Sequence, residues 1–155
     1  MRKSAARVQE ELDKFGLALN VVEMQESTRT SQEAAYAVGC LVGQIAKSLV
    51  FKGKTTGAPV LVIASGANRV NEKKIAGHVG EAITKPDADY VLAKTGYAIG
   101  GIPPVGHIEK LPCFIDEDLL QYEEIWAAAG TPFAVFKLTP AQLVAMTGGK
   151  IISVK

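Results

Sequence analysis

Leu49-Val50-Phe51, a turn running from Gly53 to Gly57, and Val60-Leu61-Val62-Ile63 form the stretch that decides the fold. Two short apolar runs separated by a polar, glycine-bounded turn read as a hairpin of buried strands. A hairpin is an antiparallel pair, whereas a doubly wound sheet joins parallel strands through helices. One hairpin at the centre of the chain therefore points to a mixed α+β domain.

The flanking segments supply helices and further strands. Val8, Leu12 and Phe15 recur at helical spacing, with Ser4 as N-cap and Gly16 as stop. Leu19 to Met24 reads as a strand. Thr30-Ser31-Gln32-Glu33 is a capping box, and the helix it opens is expected to carry Ala34, Val38, Leu41, Val42 and Ile45 toward a core. Gly39 and Gly43 on that helix would admit a close neighbour. Asn71 to Val79 predicts a helix ended by Gly80, Glu81 to Thr84 a short strand, and Asp87 to Lys94 a helix between Pro86 and Gly96. Cys113 to Ile115 and Phe133 to Phe136 read as strands. Thr139-Pro140-Ala141-Gln142 is a second capping box, whose helix runs to Gly148 before a last strand at Ile151 to Val154. The expectation is a single mixed-sheet domain spanning residues 1–155, with surrounding helices.

Composition narrows the function. The chain has 155 residues, 48% hydrophobic, with 17 Lys+Arg against 16 Asp+Glu and a net charge of +1. A domain that coats nucleic acid usually carries a clear basic excess, so DNA is not an expected partner. No apolar run approaches the roughly 20 residues of a membrane span. Two cysteines far apart, Cys40 and Cys113, fit a reduced, cytoplasmic setting and no zinc-site spacing.

The distribution of charge says more than its sum. From Lys47 to Lys74 six cations face Glu72 alone, a local +5; from Glu109 to Glu124 six acids face Lys110 alone, a local −5. Either the two segments pair, or the molecule is electrically polar and its basic side meets phosphate. The acids Asp116, Glu117, Asp118, Glu123 and Glu124 read as a solvated helix face. His78 reads as a surface residue. Gly53-Lys54-Thr55 resembles the end of a phosphate-binding loop, but Ser48 stands where its first glycine belongs, and a strand follows instead of a helix.

Two segments carry candidate chemistry. Gly100-Gly101-Ile102-Pro103-Pro104-Val105-Gly106-His107 combines glycines that allow close backbone approach with prolines that fix the path. Such a loop either holds a carbonyl or oxyanion with its N–H groups or is a rigid turn. Lys47, expected at the end of an apolar helix before a buried strand, either complements the helix dipole or aims an ammonium into a pocket.

Taken together, Ile45-Ala46-Lys47-Ser48-Leu49-Val50-Phe51 and the Thr95-Gly96-Tyr97 segment leading into the Gly100 loop resemble the YbaK family of aminoacyl-tRNA deacylases, related to the editing domain of bacterial prolyl-tRNA synthetases. The likeness extends over nearly the whole chain, from the Thr28 to Thr30 stretch to the closing helix and strand. It implies hydrolysis of the ester joining a wrong, small amino acid to the 3′ end of a tRNA, most often tRNA for proline. It also implies no cofactor and no metal, and it makes a synthetase a possible partner. Lys47 corresponds to the family lysine and Gly100 through Pro104 to its Gly-x-x-x-Pro loop. Where some relatives have Gly-Lys-Arg-Gly, this chain has Gly130-Thr131-Pro132-Phe133, a departure that bears on any cysteine-specific activity.

On this basis the expected catalytic groups are Lys47, Gly100 and Gly101, with Thr28, Thr30, Pro104, Gly106 and His107 contacting substrate. The N–H groups of Gly100 and Gly101 would hold the ester carbonyl, while Lys47 orients the terminal adenosine or its phosphate. A lysine ammonium is a donor and a charge, and a poor general base near neutral pH. The vicinal ribose hydroxyl would assist water. Two rival functions remain open at this point: a non-catalytic module binding a tRNA end or a nucleotide, and a small phosphoester hydrolase.

Overall fold

A computed structural model describes all residues, 1–155. Its centre is the expected hairpin: β2 (Ile45–Gly53) pairs antiparallel with β3 (Pro59–Ser65) over seven residue pairs, from Ala46 opposite Ser65 to Lys52 opposite Pro59. Around it one mixed sheet runs in the order β1-β7-β6-β2-β3-β5-β8, with β4 added to the end of β2. The other strands are β1 (Val21–Glu23), β4 (Ile83–Thr84), β5 (Cys113–Asp116), β6 (Ile125–Ala128), β7 (Ala134–Leu138) and β8 (Lys150–Ile152). β2 with β6, β3 with β5, and β5 with β8 are parallel; the remaining pairs are antiparallel.

Both faces of the sheet are covered, which is why β3 reads as an unbroken apolar run. Leu61 and Ile63 join the larger core with Ala5, Val8 and Leu12 of α1 (Lys3–Asp13) and with Leu143 of α5 (Pro140–Thr147). Val60, Val62 and Ala64 point the other way, onto Ile75 of α3 (Glu72–Val79). Each fully buried Val, Leu or Ile contributes on the order of 1.5–3 kcal/mol, so β3 alone is a large share of the core. α4 (Ala88–Thr95) adds Val91 to the larger core.

The second helix is shorter than its periodicity predicts. α2 (Ser31–Val38) starts at the Thr30–Glu33 capping box but stops at Gly39, whose φ of 75° lets the Gly39 and Cys40 N–H groups both turn back to the Ala35 carbonyl. Leu41 is exposed, Val42–Gln44 form one 3₁₀ turn, and Ile45 already belongs to β2. Lys47 is thus the third residue of a strand, and the expectation of a helix-terminal lysine is corrected. Gly43 does admit a close neighbour, the Tyr122 ring, whereas Gly39 has none.

Several smaller corrections come from the weak signal of short strands. The first strand is only Val21–Glu23 and the last is Lys150–Ile152, earlier than expected. β6 carries little strand signal of its own, because its Ile-Trp-Ala-Ala sequence is alanine-rich and follows an acidic run. α1 begins at Lys3 without a side-chain cap, so Ser4 is not its N-cap. Asp116 is buried, not part of a solvated face: it accepts from Ser65 N–H at 2.9 Å, Asn68 Nδ2 at 2.8 Å and Asp118 N–H at 2.9 Å.

Candidate functional site

β2 has two edges, and only one is fully paired. Gly53 N–H donates to the Ala58 carbonyl, and Gly66 N–H to the Ile45 carbonyl. The odd-numbered residues of β2 therefore bond toward β3, and Ala46, Ser48, Val50 and Lys52 turn their main-chain groups to the opposite edge. There β6 covers the strand at Ile45 and Ala46, and β4 covers it at Lys52 and Gly53. Between them the N–H and C=O groups of Ser48 and Val50 meet no strand.

A cavity of about 480 Å³ opens along this gap. Alternation in β2 sends Ala46, Ser48 and Val50 to one face of the sheet and Ile45, Lys47 and Leu49 to the other. Since residues of both sets line the cavity, it wraps around the free edge of the strand. On the Ser48 side its walls are apolar, with Ala46, Val50, Ile102 and Ala127. Four cations also line it, Arg29, Lys47, Arg69 and Lys85, against Glu72, and none of the four is in an ion pair.

The basic and acidic segments do not pair with each other. Glu124 is bridged by Lys137, Asp118 by Lys155, and Glu109 by Lys94. Of the six cations between Lys47 and Lys74, Lys47 and Arg69 face the cavity, while Lys52 sits 4.9 Å from the centre of the Tyr90 ring and Lys74 bonds the Lys155 carbonyl. Arg69 follows a loop held by buried Asp116, through Ser65 N–H and the Asn68 amide.

The residues expected at the site divide. Lys47, Gly100, Thr28 and Thr30 line the cavity; Gly101, Pro104, Gly106 and His107 do not. Thr28 donates both its N–H and its hydroxyl to the Pro132 carbonyl, at 2.6 and 2.9 Å, and the Thr30 hydroxyl caps α2. Both threonines therefore fix the segment that presents Arg29. Gly100, at φ 97°, lies so close to Arg29 that a Cβ would come within 2.8 Å of its Cγ. Its N–H has no acceptor in the protein, whereas Gly101 N–H is already bonded to the Ala98 carbonyl at 3.1 Å. The expectation that both N–H groups are available is corrected: only Gly100 offers one.

The far end of the loop is an anchor. His107 Nε2 donates to the Pro103 carbonyl at 2.6 Å, and burial holds the imidazole pKa below its ordinary value, against the opposing effect of that bond. A Cβ on Gly106 would meet Glu11 of α1, and Arg7 of α1 lies over the Tyr97 ring and donates to the Gly96 carbonyl at 2.9 Å. Sequence reasoning passed over Arg29, Arg69, Lys85 and Ser48 as site residues. Two of them left a usable signal: Ser48 is a polar residue on the buried parity of a strand, and Arg69 lies in the basic segment from Lys47 to Lys74.

The comparisons agree with this architecture. The aminoacyl-tRNA editing domain family matches residues 25–146. A solved structure of a candidate trans-editing enzyme for prolyl-tRNA synthetase is 49% identical, covers 100% of this chain and 98% of its own, and superposes with a TM-score of 0.94. EbsC of Enterococcus faecalis, a candidate Cys-tRNA(Pro)/Cys-tRNA(Cys) deacylase, is 29% identical over 83% of this chain and 79% of its own. A proline–tRNA ligase of Limosilactobacillus fermentum is 30% identical over 74% of this chain but only 22% of the ligase. With the family match spanning most of the chain and the same mixed sheet recurring, the chain belongs to the aminoacyl-tRNA editing domain family.

Proposed function

We propose that this protein is a trans-editing deacylase that hydrolyses the ester of a mischarged tRNA, with tRNA for proline carrying a small wrong amino acid as its substrate. The observation that carries the reading is the cavity itself, in which a small apolar compartment and four unpaired cations meet at the free edge of β2. An acceptor end offers the matching pair, an aminoacyl group beside phosphates.

An aminoacyl ester is already activated, so the reaction needs position and charge stabilisation more than a nucleophilic side chain. Lys47, with Arg29, Arg69 and Lys85, holds the terminal phosphates and adenosine. Gly100 N–H is the donor for the carbonyl oxygen as it becomes an oxyanion. A vicinal ribose hydroxyl assists the attacking water, and no metal is required. The apolar walls favour a short side chain such as that of alanine; one methylene changes discrimination by only about 1–3 kcal/mol, so neighbouring small residues will be separated modestly. The likeness to part of a proline–tRNA ligase supports a prolyl-tRNA synthetase as partner, in the cytoplasm where the tRNA is charged.

The test is a deacylation panel with tRNA for proline charged with alanine, serine, cysteine, threonine or 2-aminobutyrate. Turnover of at least one small aminoacyl ester is expected. Binding of tRNA with no turnover across the panel would make the protein a tRNA-end binding module.

A further inference from the structure

Ser48 Oγ is a buried side-chain polar atom with no hydrogen-bond partner in the protein. The residue is 9% exposed and lines the cavity, on the strand whose own N–H and C=O groups are unpaired at Ser48 and Val50. A buried unsatisfied hydroxyl carries the full desolvation cost of its missing hydrogen bond, and native backbone groups rarely go without partners. Three kinds of unmet polar group thus lie together, in a compartment otherwise lined by alanine, valine and isoleucine.

Their chemistry selects a ligand. Hydroxyl and carbonyl oxygens accept from an amine, and a strand N–H donates to a carbonyl oxygen. An α-amino acid joined through its carboxyl group presents an amine and a carbonyl two bonds apart from one carbon. That is the donor and acceptor pair which one residue of an added strand offers to a sheet edge. β6 makes the same kind of parallel contact with β2 at Ile45 and Ala46, then turns away after Ala128.

We infer that the free edge of β2 is the subsite for the α-amino acid portion of the substrate, with the Ser48 hydroxyl and carbonyl accepting from its α-amino group. Val50 N–H then serves the acyl carbonyl as a second donor beside Gly100 N–H. The subsite rests on the editing reading, and it extends that reading by making a free α-amino group a requirement. It gives the hydroxyl of Ser48 a binding role and no stabilising one.

The experiment uses the full chain and a stable probe, 3′-(L-alanylamino)-3′-deoxyadenosine, with its N-acetyl derivative. Calorimetry measures both with the wild type, Ser48→Ala and Ser48→Thr, and thermal unfolding is followed for each protein. The free amine should bind the wild type at least roughly tenfold tighter than the N-acetyl form, the range expected for hydrogen bonds to a charged group. Ser48→Ala should lose most of that difference while melting at or above the wild-type temperature, and Ser48→Thr should keep it. Equal affinity for the two probes, no binding of either, or an unchanged preference in a folded Ser48→Ala protein overturns the subsite. Hydrolysis of alanyl-tRNA is measured alongside: amine preference without hydrolysis overturns the editing reading and leaves the subsite standing.

Discussion

Gly101 lies flat against Thr131: a Cβ on Gly101 would come within 2.8 Å of the Thr131 nitrogen, α-carbon and carbonyl carbon. The contact is tied by Gly130 N–H donating to the Gly101 carbonyl at 2.8 Å. The loop that borders the cavity is therefore fastened to the turn between β6 and β7 by backbone alone. Backbone cannot swing aside as a long side chain can. Gly101→Ala should then destabilise the fold by about 1–3 kcal/mol, as other overpacking changes do, in a denaturant melt. A melt superimposable on the wild type would show that the loop yields freely.

Lys47 is exposed, forms no ion pair and lines the cavity, so removing its charge leaves no buried partner stranded. Lys47→Ala should lower deacylation by on the order of 10²-fold, the scale seen when one charge-stabilising donor is lost, with an unchanged melting temperature. Rates within a factor of two of wild type would remove Lys47 from the site.

These two residues also show how far the sequence could be read. The hairpin that carries Lys47 was legible because both of its strands are apolar and a glycine-bounded turn joins them. The register within it was not, because Gly39 ends α2 through a left-handed turn that helical periodicity cannot signal, and Ile45 looks alike in a helix or a strand. The glycine loop was legible as a pre-formed segment. Which of its N–H groups is free depends on a turn bond from Gly101 to Ala98 that only folding reveals. Arg29, Arg69 and Lys85 come from three separated segments, and nothing local marks them as neighbours.

Those three cations and Lys47 make a quantitative prediction about salt. Each phosphate contact on a single-stranded end adds about −0.7 to the slope of log affinity against log salt. Arg69→Ala should lower affinity for deacylated tRNA and make that slope shallower by about 0.7, as read from binding in a potassium chloride series. Lys73→Ala, on a cation outside the cavity lining, should leave the slope unchanged. Equal slopes for wild type and Arg69→Ala would place the phosphates elsewhere.

His107 couples the loop to pH. Burial lowers its folded-state pKa below the ordinary value of 6.5, so across the interval between the folded and unfolded values the unfolded chain binds more protons. Its contribution to stability is therefore complete above about pH 6.5 and is lost as the pH falls through that interval toward the folded value. His107→Gln keeps a donor for the Pro103 carbonyl without a titrating ring. Compared with it, the wild type should lose stability as the pH is lowered below 6.5, while the two proteins run parallel from pH 7 to 8. Chemical denaturation at half-unit pH steps measures the difference directly. A gap between the two that stays constant from pH 8 to pH 5 would mean that the imidazole is not held neutral by burial, and the His107 end of the loop would then be wet in solution.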